Sequence, residues 1–452
     1  MTTVLKIIKK NIFRNYVLLF TLLFLIYLWT RGGLNTFYVD TDFGRDLSQL
    51  SKLWIGQKVI WLGPTLSPGF HASPLYYYLF FPALFVGQGS AYSLLIANIL
   101  FAIIVLAVLG FKRGTLLALT AIGFSPWFGA LVMHPGNGFT YVLWLLLSLI
   151  CLWFEFPLVF SALFLGISLS FHPAAIFALP LLIYEWVRRK RELKQAFIIT
   201  ISLLIPWAPI ILFEIITKGF LFRQWITHPS VGMKIAPSFI NLQTLINTSG
   251  ISLFGFLLVF IILLFSGKVR ERWWLSLSIL GLIFFGVVSK VPPHYLLGLT
   301  CILYFTVAII MVKRVWGRSL LGIITLIFLG GAFILPTPKQ SPRSIEKIQS
   351  VVNQVAQNKT INKKEKIAVV AALDMENKVP QADDYRFFLR IKGFKIPEVT
   401  EYFTAQKLIL FVENPQFDWK SWSTWETNEI TPKRIIQEQE IEGVKVITFE
   451  KI

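Results

Sequence analysis

Three aspartates lie close together just after the first apolar segment of the chain. They are Asp40, Asp42 and Asp46 in the stretch VDTDFGRDL, which also carries Arg45. Carboxylates beside an apolar span are costly unless they are solvated, paired or used. A general base must be an acceptor poised beside the proton that it removes. The residues leave two interpretations open: a solvated loop in which Arg45 pairs with a neighbouring aspartate, or a catalytic carboxylate.

The histidines are the second group of chemically useful side chains. The chain has five histidines, and all of them lie between apolar runs or at the ends of such runs: His71, His134, His172, His228 and His294. In the membrane topology predicted below, all five are on the same, outer side. A single histidine more often caps a helix or completes a hydrogen bond, but together they predict a polar cavity on that side. None has ligand spacing such as HExxH, so no metal site is predicted, and a divalent metal stays an open question.

The same side also carries cations and aromatic residues. The cations are Arg45, Lys218, Arg223, Lys234 and Lys290, and the aromatics include Tyr76, Tyr77, Tyr78, Trp225 and Tyr295. Fixed cations can hold an anionic group and stabilise charge that develops on a leaving phosphate. Most of the aromatics are expected to form a belt at the membrane interface, and a minority could stack on a sugar.

The composition of the chain indicates that these residues are positioned by membrane-embedded helices. Of the 452 residues, 55% are hydrophobic and 15% are charged, whereas a soluble chain carries about 25% charge. The net charge of +19 sits almost entirely in short clusters between apolar runs before residue 340. This is the distribution that fixes membrane orientation, so nucleic acid is not expected as a partner. The two cysteines, Cys151 and Cys301, predict no disulfide framework.

The apolar runs predict a polytopic α-helical membrane protein with about eleven transmembrane helices. With the N-terminus in the cytoplasm, basic clusters at 112–113, 188–194, 268–272 and 313–318 fall on alternate, cytoplasmic loops. The predicted spans are residues 15–30, 90–111, 114–132, 139–155, 157–171, 173–187, 196–215, 250–266, 273–289, 295–312 and 319–335. The C-terminus is then extracytoplasmic, and a multi-pass protein of the cell membrane is expected.

One apolar stretch does not fit this count. Residues 74–87 are short and contain Pro82, and counting them as a span would reverse every later loop. We therefore expect an interfacial or re-entrant segment within a first outer loop, residues 31–89. This loop would belong to a transmembrane domain of residues 1–338.

After residue 338 the chain changes character. Prolines mark a linker, charge becomes frequent, and short apolar runs at 366–372, 407–412 and 444–450 predict strands. Residues 383–393 predict a helix. The expected unit is a small, soluble, extracytoplasmic α/β or α+β domain over residues 339–452.

Segments within residues 15–310 resemble those of the GT-C superfamily of membrane glycosyltransferases. The likeness is to bacterial family 39, the relatives of protein O-mannosyltransferases and of the lipid A aminoarabinose transferase. It runs in order through DTDFGRD, LGPTLSPGFHASPLYYYL, SFHPAAIFALP, IPWAPIILFEIITKGF and PPHYLLGL. The resemblance implies transfer of a hexosyl or pentosyl group from a polyprenyl-phosphate donor to an acceptor hydroxyl on the outer face. The acceptor could be a glycan, a lipid or a protein.

The resemblance also implies roles for individual residues. Asp42 would be the general base of an inverting transfer, because it precedes the Gly44–Arg45 dipeptide as the family's loop aspartate does, with Asp40 and Asp46 in reserve. The family often has an adjacent acidic pair, but here Phe43 follows Asp42. Arg45, Lys290, His294 and Tyr295 would bind the donor phosphate. The substrate cavity would be lined by His71, Tyr76, Tyr77, His134, Asn137 and His172. Such a reaction requires no cofactor or metal beyond the lipid-linked donor.

Other classes of membrane protein would show different sequence patterns. A transporter or flippase of lipid-linked glycans would place ionisable residues at mid-membrane depth, whereas here they collect at one face. An O-antigen polymerase or ligase would favour a large outer loop between late helices. A receptor needs far fewer than eleven helices for anchoring. The absence of GxGxxG and Walker patterns agrees with a lipid-linked rather than a nucleotide-linked donor.

Overall fold

The structure is a computed structural model of the 452-residue chain. It describes residues 2–452 except 57–58, 68–69, 113, 191, 228–252, 267, 289–292, 335–338, 359, 374–381, 415, 421 and 432.

Helices dominate the first three quarters of the chain, and they follow the apolar runs. Each predicted span coincides with one helix or with consecutive helices broken by a short turn. The helices are Thr2–Thr30, Thr41–Trp54, Leu75–Val86, Tyr92–Gly110, Leu116–Gly123, Pro126–Val132, Asn137–Trp153, Leu158–Phe171, Leu179–Arg188, Leu193–Leu204, Ala208–Ile216, Phe220–Thr227, Leu253–Phe265, Val269–Val288, Leu297–Val312 and Val315–Ile334.

Few of these helices meet the length of a full membrane crossing by themselves. Among the described residues, the helices long and apolar enough are Ile12–Thr30, Tyr92–Gly110, Leu193–Ile216 and Val315–Ile334. A fifth results if Pro126–Val132 and Asn137–Trp153, which meet at 116°, count as one broken span. Three further apolar helices have 10–17 residues: Leu75–Val86, Leu158–Phe171 and Leu297–Val312. The total of eleven crossings therefore stays a prediction.

The chain divides into two compact units that are not consecutive in sequence. We call them the helical unit, Met1–Arg31, Trp61–Leu79 and Leu95–Thr337, and the sheet unit, Gly32–Ile60, Phe80–Leu94 and Pro338–Ile452. The linear division predicted at residue 338 differs from this, because parts of the first outer loop pack with the C-terminal residues. The difference arises from contacts between residues roughly 300 positions apart, which hydrophobic patterning along the chain does not encode.

The basic clusters predicted to share one side meet at one end of the helical unit. Glu185 is fully buried and accepts hydrogen bonds from Arg188 Nε at 2.9 Å and from Arg270 Nε at 2.6 Å. Arg188 also reaches Glu155 at 2.6 Å. Lys313 lies over the ring of Trp153 at 4.7 Å. A buried carboxylate that binds several cations is stable where an isolated one would not be. The network therefore connects loops that carry the basic clusters and that were predicted to lie on the same side of the membrane.

Close helix packing depends on one glycine in the middle of the helical unit. A Cβ added to Gly166 would lie 2.2 Å from the carbonyl oxygen of Leu203 on the neighbouring helix. We expect Gly166→Ala to lower the free energy of unfolding in detergent by about 1–3 kcal/mol, because the two backbones must separate. A thermal unfolding series would measure this. Gly322→Ala is the matched control, since Gly322 has nothing within 4 Å and alanine favours a helix; equal melting shifts for the two variants would contradict the packing argument.

A four-stranded sheet forms the centre of the sheet unit. In chain order, a separate hairpin in the helical unit pairs β1 Thr65–Ser67 with β2 Phe70–His71, and the strands of the sheet are β3 Ile367–Ala372, β4 Lys407–Val412, β5 Lys433–Ile441 and β6 Val444–Lys451. The order in the sheet is β3–β4–β6–β5, with β3 parallel to β4 and the other pairs antiparallel. Helices of the sheet unit include Ile345–Ala356, Asp383–Ile391 and Trp425–Asn428.

Three strands and one helix of this unit agree with the sequence analysis. Strand β5 and the helices Thr41–Trp54, Ile345–Ala356 and Trp425–Asn428 were not predicted. Strand β5 carries alternating charged residues and lies at the edge of the sheet, so its apolar signal is weak. Helix Ile345–Ala356 has Ser344 as its N-cap and buries one face through Ile345, Ile348 and Val352. This spacing is readable in the sequence as an amphipathic helix.

Candidate active site

The aspartate segment is a helix rather than the expected loop. Helix Thr41–Trp54, which we call the aspartate helix, begins after Asp40, whose carboxylate accepts the backbone N–H of Phe43 at 2.7 Å. Its buried face includes Phe43, Leu47 and Leu50, a spacing of three and four residues that is typical of an amphipathic helix. That pattern was available in the sequence and outweighs the turn-like Gly44.

The three aspartates have three different environments. Asp40 caps the helix, and Asp46 is fully buried with its Oδ1 bound by Arg45 Nη2 at 3.1 Å. Asp42 stands in the first turn, where Arg45 Nη1 contacts its Oδ1 at 2.8 Å, and its side chain is 59% exposed. Of the three carboxylates, that of Asp42 is the most exposed to solvent. The predicted pairing of Arg45 with a neighbouring aspartate is also present, so the structural and catalytic interpretations are not exclusive.

In the helical unit, a histidine and two tyrosines form a compact polar cluster. The ring of His172 lies 4.9 Å from that of Tyr141 and 4.5 Å from that of Tyr295, measured between centroids. Nδ1 of His172 accepts a hydrogen bond from the backbone N–H of Ala174 at 3.2 Å. The Tyr141 hydroxyl accepts the backbone N–H of Gly298 at 2.8 Å. The cluster therefore joins three helix ends of the helical unit.

Sequence reasoning missed Tyr141 and Gly298. Tyr141 lies within an apolar run and looks like any other core aromatic, and Gly298 is the second residue of the apolar helix Leu297–Val312. Gly298 permits the approach, since a Cβ there would lie 3.0 Å from the Ala174 carbonyl oxygen and 3.2 Å from the Tyr141 hydroxyl. Tyr141 and Gly298 are 157 positions apart, and no pattern in the sequence indicates that two residues so far apart are in contact.

Several other predicted cavity residues are also brought to these helix ends. The buried Tyr76 donates its hydroxyl to the Pro135 carbonyl at 2.7 Å and packs edge-on against Tyr77. Asn137 donates to the carbonyl of Phe171, next to His172, at 3.1 Å. His134 stacks on Phe139 at 3.9 Å.

The remaining predicted residues are placed differently. His71 lies in the small hairpin, with Nδ1 3.2 Å from the Gly63 carbonyl oxygen. Lys290 and the side chain of His294 fall outside the described part of the chain. Among the described residues, no group of three or more histidine, cysteine, aspartate or glutamate side chains is arranged to hold a metal ion.

The described residues combine apolar helices with a small C-terminal sheet, and the aspartate helix follows the first apolar helix after a short connection. This arrangement of elements defines the fold of the chain.

The similar solved structures are both of one protein. They are ArnT from Cupriavidus metallidurans bound to undecaprenyl phosphate, with a TM-score of 0.61, and the same protein in the apo state, with a TM-score of 0.54. In each comparison the identity is 11%, and the match covers 96% of this chain and 98% of ArnT. No protein-family model matches the sequence, and no curated protein matches it.

Proposed function

We propose that this protein is a membrane glycosyltransferase that moves a sugar from a polyprenyl-phosphate donor to an acceptor hydroxyl. The observation that carries the proposal is the shared fold with ArnT over nearly the whole length of both chains. That structure was solved with undecaprenyl phosphate, which is the product expected when a sugar leaves such a donor. The exposed Asp42 adds a base that this reaction needs.

In the proposed reaction, Asp42 takes the proton of the acceptor hydroxyl. The oxygen attacks the anomeric carbon on the face opposite the phosphate, and a new carbon–oxygen bond forms as the bond to the phosphate oxygen breaks. The configuration of the sugar is inverted, and polyprenyl phosphate leaves as an anion. A positioned base of this kind contributes about 10²–10⁴-fold to the rate.

The other predicted residues receive supporting roles in this proposal. Arg45, Lys290, His294 and Tyr295 are assigned to the donor phosphate, where cations and hydrogen-bond donors neutralise the leaving group without a metal or a nucleotide. His71, Tyr76, Tyr77, His134, Asn137 and His172 are assigned to the substrate cavity. The reaction is placed on the outer face of the cell membrane, with the N-terminus cytoplasmic and residues 339–452 outside.

The direct test is a transfer assay with purified protein in lipid nanodiscs. Polyprenyl-phosphate donors that carry different hexoses or pentoses are incubated with envelope glycans, lipids and proteins, and mass spectrometry follows the products. We expect a new glycosidic product together with free polyprenyl phosphate. Movement of the intact donor between leaflets of proteoliposomes, without cleavage, would instead identify a flippase and overturn the proposal.

A further inference from the structure

The aspartate helix is bound by a buried arginine from a distant part of the sheet unit. Arg390 lies on helix Asp383–Ile391, which we call the arginine helix, and is 3% exposed. Its Nη1 donates to the carbonyl oxygen of Ser48 at 3.2 Å and to the hydroxyl of Ser48 at 3.0 Å, and it lies 3.4 Å from the hydroxyl of Ser51. All of these acceptors are on the aspartate helix, within three turns of Asp42.

Three further contacts join the same two parts of the sheet unit. A Cβ added to Gly44 would lie 3.3 Å from Asp384, so the two helices touch along their backbones. In the last turn of the aspartate helix, Lys52 forms an ion pair with Glu398 at 2.8 Å. Before the helix, the backbone N–H of Val39 donates to the carbonyl oxygen of Arg343 at 2.9 Å. The segment is therefore held at both ends and in the middle.

The choice of arginine at position 390 needs a physical reason. Its acceptors on the aspartate helix are neutral, and burial lowers the pKa of its guanidinium, so an apolar side chain would bury more favourably. Apolar contact allows two helices to slide and rotate, whereas hydrogen bonds to a carbonyl and two hydroxyls fix register and rotation. Rotation of the helix would turn Asp42 away from its exposed direction, and a 1 Å displacement of a catalytic group can reduce the rate by about 10²-fold.

We propose that the C-terminal part of the chain positions the catalytic carboxylate, and that Arg390 is the positioning residue. The role of Asp42 in this statement rests on the proposed function. Arg390 is buried against Ser48 and Ser51 and acts through them, since these contacts set the orientation of the aspartate helix. The sheet unit is on this account a part of the catalytic apparatus rather than a separate acceptor-binding module.

The test compares full-length Arg390→Met, Arg390→Lys and Arg434→Met in nanodiscs. Arg434 is the matched control, because it is an arginine of the same unit that pairs with Glu450 at the exposed face of β5 and β6. Hydrogen–deuterium exchange is measured over residues 41–54 and over the four strands, and kcat and KM are measured for donor and acceptor.

In Arg390→Met we expect faster exchange over residues 41–54 with unchanged protection of the strands. The kcat per folded molecule should fall by about tenfold to 10²-fold at unchanged KM. Arg390→Lys should recover part of the kcat, and Arg434→Met should match the parent.

Unchanged exchange over residues 41–54 in Arg390→Met would overturn the positioning role, as would a kcat equal to that of the parent. Loss of activity that only follows the folded fraction would also overturn it. If the parent has no transferase activity, the proposed function fails separately. Faster exchange confined to the aspartate helix would then still show that Arg390 positions it.

Discussion

Asp42→Asn is expected to reduce kcat for sugar transfer by about 10²–10⁴-fold, with little change in the KM for the donor. Asparagine has nearly the same shape but cannot take a proton. The first turn of the helix tolerates it, because Asp42 is exposed and pairs only at the surface with Arg45. The measurement is a single-turnover transfer assay with purified protein, normalised to the folded fraction.

The neighbouring aspartates supply matched controls with the same chemical change. Asp40→Asn should retain activity, since asparagine caps a helix as well as aspartate does. Asp46→Asn weakens a buried ion pair with Arg45, so it should reduce the amount of folded protein more than kcat. If Asp40→Asn or Asp46→Asn abolished turnover while Asp42→Asn remained active, the base would have to be reassigned.

Arg343→Met is expected to lower the free energy of unfolding of the sheet unit by about 3–5 kcal/mol, because it removes the cation of a buried network. Arg343 is 7% exposed and contacts the carboxylates of Asp384 and Glu413, the latter at 2.8 Å through Nε. Burial alone would lower its pKa, and the carboxylates of Asp384 and Glu413 raise the pKa above its ordinary value instead. Without Arg343, the buried carboxylate of Asp384 and the mostly buried carboxylate of Glu413 lose the cation that both of them contact.

Thermal unfolding and hydrogen exchange over β3 and β4 would measure this loss. Arg434→Met is again the control, because its ion pair with Glu450 is largely solvated and contributes little. A melting temperature of Arg343→Met equal to that of the control would contradict a structural role for the buried network. The helical unit should keep its own exchange pattern, since the substitution lies wholly within the sheet unit.

The sequence was most informative where apolar runs are long. Helices such as Tyr92–Gly110 and Leu297–Val312 lie within two residues of the predicted spans 90–111 and 295–312, because a continuous apolar run has one stable form in lipid. Breaks within the helices were harder to predict. The span predicted at 114–132 consists of two helices, which are separated at Phe124 and Ser125. The sequence does not reveal this break, because neither residue is a strong helix breaker and Pro126 suits the first turn of the second helix.

The candidate site was only partly predictable. The residue types of the aspartate segment indicated a base, but a list of aspartates does not reveal which one is exposed, which caps and which is buried. Those assignments depend on Arg45, on the amphipathic face of the helix and on its packing against the arginine helix. The contact between Ser48 and Arg390 joins residues 342 positions apart, and such tertiary contacts leave no periodic signal.

That sequence separation has a consequence for biosynthesis. At about 5–20 residues per second, a ribosome needs roughly 17 to 70 s to pass from Ser48 to Arg390. During that interval the aspartate helix exists without the partner that fixes its orientation, while the apolar helices between them are already being delivered to the bilayer. A nascent chain stopped before residue 390 would thus have most of its membrane helices and an unassembled aspartate helix. One of the earliest segments to be synthesised is therefore one of the last to reach its final place, because its partner, the arginine helix, is made near the end of the chain.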